Sequence, residues 1–377
     1  MNHYKTEKAT PLGVAFFKSR KWGESLLFSI LFLFFLSACT GKKEKHSALP
    51  ELQTLTFGLM PSFDGLPSLV AVRQGIYDSL DIKIDFITYA SATDRDAAFL
   101  SGKLDGMLTD YPGATLLQAK GSRLRLVMET DGSLSLIASK KSNVRNPDDL
   151  KGKNISVSGN TFVEYATDEV IKRACLHPGE VNKPEINNIP LRLMMLEDGQ
   201  ISASFLPGPA TAIALNDGHT ALLNTRQMGL RCTGIVFSEK AITEKDEEIR
   251  RFITGYNLGV KYLQTRPQNE WTEILVKEFG LQEKAAMQID LPDYRPATRP
   301  SYHDIEKIIA WLKSKGAIPD YYPGENLVDT TFIPGTLKPQ YIQQSKDEKH
   351  IPVNIRTDTP GRQPPESAGE RRGCYTE

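Results

Sequence analysis

The sequence lacks any excess of charge of one sign. Lys and Arg together number 46, and Asp and Glu together also number 46. A nucleic-acid-binding chain usually carries a basic surplus, so this balance gives no electrostatic footprint of that kind. Cysteine is scarce as well, with four residues and no Cys-x-x-Cys motif or Cys/His cluster, so no zinc site is supported. Cys175 and Cys232 can pair, but two buried free thiols are the simpler prediction.

Recognisable catalytic motifs are also missing. The chain has no Gly-x-Gly-x-x-Gly sequence, and no Ser-His-Asp set or carboxylate pair can be argued from spacing. None of the six histidines lies in a polar corner after a predicted strand. The sequence therefore predicts a protein that is not an enzyme and has no cofactor or metal.

No apolar run reaches the roughly 20 residues that a membrane-spanning helix needs. The longest, Leu26 to Leu36, has eleven residues, "LLFSILFLFFL", and follows a basic segment, as the apolar core of a signal peptide does. The next residues, "LSAC", resemble a bacterial lipobox, in which Cys39 would be diacylated. The alternative is a chance cysteine after an ordinary cleavage site. We predict a lipoprotein signal peptide over 1–38 and a lipid-anchored tether over 39–51.

The opposite end is polar and punctuated by proline and glycine, without apolar periodicity. Such a segment buries too little apolar surface to offset the entropy lost on ordering. Residues 338–377 are predicted to be a disordered tail without a role in ligand binding.

Between these ends, short strand and helix patterns alternate. "LTFGLM", "IKIDFITY", "LDGMLTD" and "RLRLVME" are typical of strands, and helical patterns such as "PSLVAVRQGIY" and "YPGATLLQAKG" lie between them. A second series starts at "NISVSGN", and after residue 239 the chain is predicted to be helical. This order indicates an α/β fold with mostly parallel sheets covered by helices.

Unusual polar and aromatic residues follow the predicted strands. In open α/β sheets the ligand binds outside the carboxyl ends of the strands, so these corners predict one shared cleft. The candidate ligand-binding residues from the corners are Ser62, Phe63, Asp64, Asp110, Tyr111, Ser133, Ser158, Gly159, Asn160, Thr161 and Gly208.

Each candidate also has a purely structural interpretation. Ser158 and Thr161 can donate to an oxyanion at a helix start, or can simply cap that helix. Asp64 and Asp110 would disfavour a bare sulfonate and favour a ligand with hydrogen-bond donors, or they can form Asx turns and caps. Phe63, Tyr111 and Phe162 can enclose a flat ring or pack in the core.

Four segments carry a resemblance to a known family. They are "FGLMPSFDGLPSLVAVRQGIYDSLDIKIDFITY", "AAFLSGKLDGMLTDYPGATLLQAKG", "NPDDLKGKNISVSGNTFVEYATDEVIK" and "LEDGQISASFLPGPATAIALNDG". In this order the chain resembles the substrate-binding proteins of ABC importers for nitrate, aliphatic sulfonates and pyrimidine precursors of thiamine. The resemblance implies a bilobal type II periplasmic-binding-protein fold with two hinge segments. The lobes would be 52–138 with a helical return over 239–337, and 139–238.

The resemblance also implies a function. The protein would be a monomer on the extracytoplasmic side of a membrane and deliver a small molecule to an ABC permease and its ATPase. Gly208 departs from the family, whose members often carry an acidic residue there, and glycine would let backbone approach the ligand. The alternatives are an enzyme on the same scaffold, in thiamine-pyrimidine or menaquinone-precursor biosynthesis, and a sensory binding module.

Overall fold

The computed structural model describes residues 52–289 and 291–333, without the side chain of Gln288. The chain divides into two units, and the described residues lie in the second, which begins at Leu52. The predicted leader, the Cys39 tether and the tail over 338–377 lie outside the described residues.

Nine strands lie in the described part of the chain and form two sheets. In chain order they are β1 (Leu55–Leu59), β2 (Ile84–Thr88), β3 (Gly106–Asp110), β4 (Leu124–Glu129), β5 (Leu134–Ala138), β6 (Ile155–Ser156), β7 (Ala203–Pro207), β8 (Thr220–Asn224) and β9 (Thr233–Ser238).

Twelve α-helices accompany these strands within the same described ranges. They are α1 (Leu66–Arg73), α2 (Ile76–Ser79), α3 (Ala92–Leu100), α4 (Tyr111–Ala119), α5 (Phe162–Arg173), α6 (Ile189–Asp198), α7 (Gly208–Asn216), α8 (Glu239–Glu244), α9 (Asp246–Thr265), α10 (Thr272–Phe279), α11 (Glu283–Gln288) and α12 (Tyr302–Ser314).

Each sheet is the centre of one lobe. The first has the order β2-β1-β3-β9-β4, in which β1 is parallel to β2 and β3, while β9 is antiparallel to β3 and β4. The second has the order β6-β7-β5-β8, in which β6 and β7 are parallel and β5 is antiparallel to β7 and β8. Three of the seven strand pairs are parallel, so the prediction of mostly parallel sheets is wrong; β5 and β9 each run antiparallel to both of their neighbours.

The chain passes between the sheets earlier than the sequence indicated. The predicted lobe boundaries, 138/139 and 238/239, put β5 in the first lobe and β9 in the second. The structure places β5 in the second sheet and β9 in the first. Each of these strands enters its sheet from the other lobe and runs against its neighbours, so the crossings lie between β4 and β5 and between β8 and β9.

Proline and glycine residues mark the boundaries of two helices. Pro67 lies in the first turn of α1, and Gly75, at φ +64°, follows its end. Gly102, at φ +75°, follows α3 in the same way. Glycine adopts this left-handed backbone without the penalty that a Cβ brings, so the two glycines mark where the helices stop.

The first lobe is held together by an aromatic core. The Phe57 ring of β1 stacks on Phe252 of α9 with 4.7 Å between centroids. Helices α9 and α1 approach so closely that a Cβ at Gly259 would lie 2.1 Å from the carbonyl oxygen of Pro67. The helical return therefore packs against the start of the fold, as predicted.

The two lobes also contact each other. The amide of Ile189 in α6 donates to the Ala90 carbonyl of the first lobe at 3.1 Å. The Trp311 indole of α12, which packs against first-lobe α4, donates to Asp168 of second-lobe α5 at 3.0 Å. These contacts fix the walls of the space between the lobes.

The prediction that Cys175 and Cys232 are both buried free thiols is correct for Cys232 and wrong for Cys175. Cys232 is a buried free thiol, and burial raises its pKa well above the usual value. Cys175 is exposed and disulfide-bonded, and its partner is not Cys232. Spacing along the sequence carried no information about this bond.

Candidate functional site

A cavity of about 90 Å³ lies between the lobes, at the carboxyl ends of strands from both sheets. This volume suits roughly six water molecules, and so a ligand of a few non-hydrogen atoms. Its polar lining residues lie after β1, at the end of β3, after β6, in or just before α6, and in α3 and β9: Ser62, Asp64, Arg95, Thr109, Asp110, Ser158, Thr161, Asn187, Arg192 and Thr233.

The cavity brings together five of the predicted residues, namely Ser62, Asp64, Asp110, Ser158 and Thr161. Three others, Phe63, Ser133 and Gly208, line a second cavity of about 490 Å³. Tyr111, Gly159 and Asn160 line neither of these cavities. The strand ends thus converge as expected, but on two spaces.

Asp64 is a buried carboxylate on the first-lobe wall. Its Oδ2 accepts a hydrogen bond from the Thr130 hydroxyl at 2.9 Å, whereas its Oδ1 has no partner. Burial raises the pKa of Asp64, and the neighbouring Ser62 and Thr130 hydroxyls oppose that shift. One oxygen of this carboxyl group is therefore left to interact with the cavity contents.

Asp110 links the two lobes. Its Oδ1 accepts from the Gly113 amide of α4 at 2.7 Å, and its Oδ2 accepts from the Phe162 amide at the start of α5 at 3.0 Å. Burial raises the pKa of Asp110, and the Arg95 guanidinium opposes this. The sequence predicts that the N-terminus of α5 can bind an anionic ligand. In the structure, a carboxylate of the opposite lobe binds there instead.

The hydroxyls of Ser158 and Thr161 are both engaged. Ser158 donates to the Asn187 side-chain oxygen at 2.8 Å, while Thr161 donates to the Ser158 carbonyl at 2.8 Å and accepts from the Val163 amide. Both interpretations of Thr161 therefore stand together, since it caps α5 and also lines the cavity. A ligand would meet their lone pairs more readily than their hydrogens.

Gly159 and Asn160 shape this corner without reaching the cavity. A Cβ at Gly159 would lie 2.9 Å from the Glu185 carboxylate, so only glycine fits there without a shift. Asn160 has φ +55°, and its amide donates to Glu164 at 2.8 Å.

Five polar lining residues were not predicted from the sequence, and Arg192 matters most among them; the others are Arg95, Thr109, Asn187 and Thr233. Arg192 lies in α6 and is 2% exposed, yet among the described residues its side chain makes one hydrogen bond, from Nη1 to the Phe205 carbonyl at 3.2 Å, and its Nε has no partner. No carboxylate of the described residues pairs with it, and burial lowers its pKa to about 10. Arginine within the apolar stretch "IPLRLMML" was the available signal.

Arg95 is the second buried arginine of the cavity, and its charge is matched. Its guanidinium donates to Asp96 at 2.7 Å and to the Leu108 carbonyl at 3.0 Å. It therefore differs from Arg192, whose charge has no counterpart in the described part of the chain.

The position of the Phe63 ring accounts for the glycine at position 208. A Cβ at Gly208 would lie 2.0 Å from the Phe63 ring, so glycine there makes room for that side chain. We expected Gly208 to let backbone approach a ligand, but in this structure its close neighbour is Phe63. The ring also meets Phe279 edge-on at 5.2 Å.

Tyr111 supports a crossing segment. It is fully buried, and its hydroxyl donates to Glu129 at 3.0 Å. Arg295 binds the same Glu129 at 2.7 Å and Asp131 at 2.6 Å, so these groups hold the first crossing in place. The ring is not available to stack on a ligand in either cavity.

Two further observations concern the described residues alone. Over 52–289 and 291–333, no group of three or more His, Cys, Asp and Glu side chains is arranged to hold a metal ion. Within the same part of the chain, every helix is too short or too polar to cross a membrane.

Comparison with known proteins gives a family match. Residues 62–270 match the family model described as "NMT1/THI5 like". A Haemophilus influenzae protein named as a thiamine biosynthesis protein is 21% identical over 266 residues, covering 67% of this chain and 83% of its own length.

Solved structures share the fold at low identity. The alkanesulfonate-binding protein SsuA of Xanthomonas axonopodis pv. citri, bound to MOPS, gives a TM-score of 0.59 at 18% identity, covering 72% of this chain and 96% of that one. The periplasmic nitrate-binding protein NrtA of Synechocystis PCC 6803 gives 0.62 at 13% identity, covering 72% and 83%. The predicted bilobal type II periplasmic-binding-protein fold is confirmed.

Proposed function

Because the chain belongs to the NMT1/THI5-like family, we propose that it is an ABC-type solute-binding protein that holds a small polar molecule between its lobes. The observation that carries this proposal is the cavity between the lobes, which is lined by polar side chains from both lobes. Enclosure of a ligand by two hinged lobes is a common closure motion.

The residues in the cavity have binding roles in this proposal. Arg192 and Asp64 provide charged contacts, and Ser62, Ser158 and Thr161 provide oxygen atoms that accept hydrogen bonds. Asp110 holds the start of α5 against the first lobe and so sets the width of the cavity. Phe63, Ser133 and Gly208 line the adjacent space, through which a longer ligand would extend.

The ligand classes to test are sulfonates, nitrate-like anions and aminopyrimidines. Two neighbours are named for alkanesulfonate and nitrate, and the Haemophilus relative is named for thiamine biosynthesis. We further propose that Cys39 anchors the protein to the membrane by lipid and that the ligand passes to a permease. The sequence motif "LSAC" supports the anchor.

An enzyme on the same scaffold is the second candidate, and the name of the Haemophilus relative favours it. A catalytic role would need a general acid or base that reaches the substrate. In the described residues, the cavity lining offers the carboxyl groups of Asp64 and Asp110 for that task, without histidine, lysine or cysteine. Both carboxyl groups already serve as hydrogen-bond acceptors.

A ligand screen separates the two candidates. The protein is unfolded and refolded to release any bound molecule and then tested by thermal shift and calorimetry against alkanesulfonates, nitrate and aminopyrimidines. A ligand at 100 times its dissociation constant should stabilise the fold by about 2.7 kcal/mol, a rise in melting temperature of roughly 5–10 °C. Arg192→Gln should abolish the shift, and exposed Arg145→Gln is the matched control.

The binding proposal predicts that the bound compound is recovered unchanged. Conversion of a panel compound by the wild type, detected by mass spectrometry of the supernatant, would favour the enzyme. The absence of any stabilising compound would contradict the binding role.

A further inference from the structure

Three residues that line the interlobe cavity each carry a buried polar atom without a hydrogen-bond partner. In the described part of the chain, six buried side-chain nitrogen or oxygen atoms lack a hydrogen-bond partner. Half of them belong to residues that line this one cavity: Asp64 Oδ1, Thr109 Oγ1 and Arg192 Nε. Buried polar groups in folded proteins are almost always satisfied, so such a cluster indicates a bound molecule that satisfies them.

The charges in the cavity are divided between the lobes. Arg192 is the one charged residue that the second lobe contributes to the described lining, whereas the first lobe contributes Asp64, Asp110 and Arg95. Asp110 is held by two backbone amides, and Arg95 is paired with Asp96. This leaves an unmatched guanidinium on one wall and a half-satisfied carboxyl group on the other.

On the premise that the protein is a solute-binding protein, we propose that its ligand is a small amphoteric molecule whose anionic group binds Arg192 and whose amino group binds Asp64. The Thr109 hydroxyl, in the same wall as Asp64, takes a further hydrogen bond from the ligand. Each lobe then supplies one charged contact, so the ligand draws the lobes together.

A ligand with one charge satisfies only half of this arrangement. A bare anion would match Arg192 but would bring negative charge into a cavity with two carboxyl groups. A bare cation would match Asp64 and leave Arg192 buried without a counter-charge, which is costly. Water can donate and accept hydrogen bonds at these atoms, but it brings no charge to Arg192.

The cavity volume limits the spacer between the two groups. Space for roughly six waters suits a molecule with a two- or three-carbon spacer. The anionic group can be a sulfonate or a carboxylate, and the test has an arm for each.

The first test compares matched probes on the wild-type protein by calorimetric titration. The amphoteric probes are 2-aminoethanesulfonate and 3-aminopropanoate, and the single-charge probes are ethanesulfonate and ethylammonium. We expect at least one amphoteric probe to bind at least roughly tenfold more tightly than both single-charge probes. The better amphoteric probe identifies the anionic group.

The second test assigns the contacts. Arg192→Gln should abolish binding of ethanesulfonate and the amphoteric probes alike. Asp64→Asn should weaken the amphoteric probe at least roughly tenfold and leave ethanesulfonate unchanged or tighter. Arg145→Gln and Asp85→Asn, both exposed, are the matched controls. Melting curves check the fold of each variant, and the wild-type comparison does not depend on them.

The outcomes separate this inference from the proposed function. Ethanesulfonate or an uncharged aminopyrimidine that binds as tightly as the amphoteric probes would overturn the inference and leave the binding role intact. Equal weakening of both probe types by a folded Asp64→Asn variant would do the same. If no compound of these probes or of the wider screen binds, both proposals are wrong.

Discussion

Replacing Asp110 with asparagine tests the contact through which one lobe caps a helix of the other. The carboxylate accepts from Gly113 in its own lobe at 2.7 Å and from Phe162 in the opposite lobe at 3.0 Å. An asparagine side chain has a single acceptor oxygen, so Asp110→Asn satisfies one amide and turns an NH₂ group toward the other. We expect the interlobe bond to be lost, because Gly113 lies nearer in sequence.

The magnitude follows from two opposing contributions. A hydrogen bond to a charged group contributes roughly 1.5–3 kcal/mol, and a buried amide left unsatisfied costs about 1–3 kcal/mol. Burial raises the pKa of Asp110 because a charged carboxylate is costly to bury. The uncharged asparagine avoids this cost, so the variant regains part of the lost stability. We therefore expect the free energy of unfolding to fall by about 1–2 kcal/mol.

Urea unfolding at pH 7 measures this change, and Asp85→Asn on the exposed face of β2 is the control. Small-angle scattering of the ligand-free variant should also show a larger radius of gyration, because a contact that joins the lobes is lost. A free energy of unfolding within about 0.3 kcal/mol of the control, with an unchanged radius of gyration, would refute the role given to Asp110.

Three further changes have defined outcomes. Ser158→Ala combined with Thr161→Ala should cost about 1 kcal/mol of stability for the lost cap and weaken ligand binding at least roughly tenfold, measured by melting curves and calorimetry; unchanged affinity would leave the corner as a cap alone. Asp64→Asn should raise the melting temperature of the ligand-free protein at pH 7, because a raised folded pKa means that stability is lost as pH rises from 3.8 through that pKa. The difference in melting temperature between this variant and the wild type should disappear below pH 3.8. A difference that stays constant with pH would show that the raised pKa of Asp64 is not its cause. Cys39→Ser should abolish labelling by a palmitate analogue, and equal labelling of both proteins would exclude the lipid anchor.

Much of the fold can be predicted from the sequence, because the local sequence patterns agree with the tertiary structure. Strand-like apolar patterns predicted β1 to β4, and the helical patterns between them predicted α1 and α4. The sheet assignments of β5 and β9 were wrong because both strands look like any other apolar strand locally. Their sheet is decided by long-range pairing, of β9 with β3 and β4, which the sequence pattern does not carry.

Part of the candidate site can also be predicted from the sequence. Residues after strands converge at the carboxyl edge of a sheet, which correctly brought Asp64, Asp110 and Thr161 to one cavity. Arg192 was missed because one arginine in a helix usually lies at the surface. It is buried because α6 packs against β7, where the guanidinium meets the Phe205 carbonyl.

The central claim, that a ligand is held between the lobes by residues of both, is tested most directly by hydrogen–deuterium exchange with the tightest-binding compound of the screen. We predict slower amide exchange on both walls of the cavity, at residues 60–64 and 108–113 in the first lobe and 158–163 and 189–193 in the second. Protection confined to one lobe, or to the residues around the second cavity alone, would contradict the account.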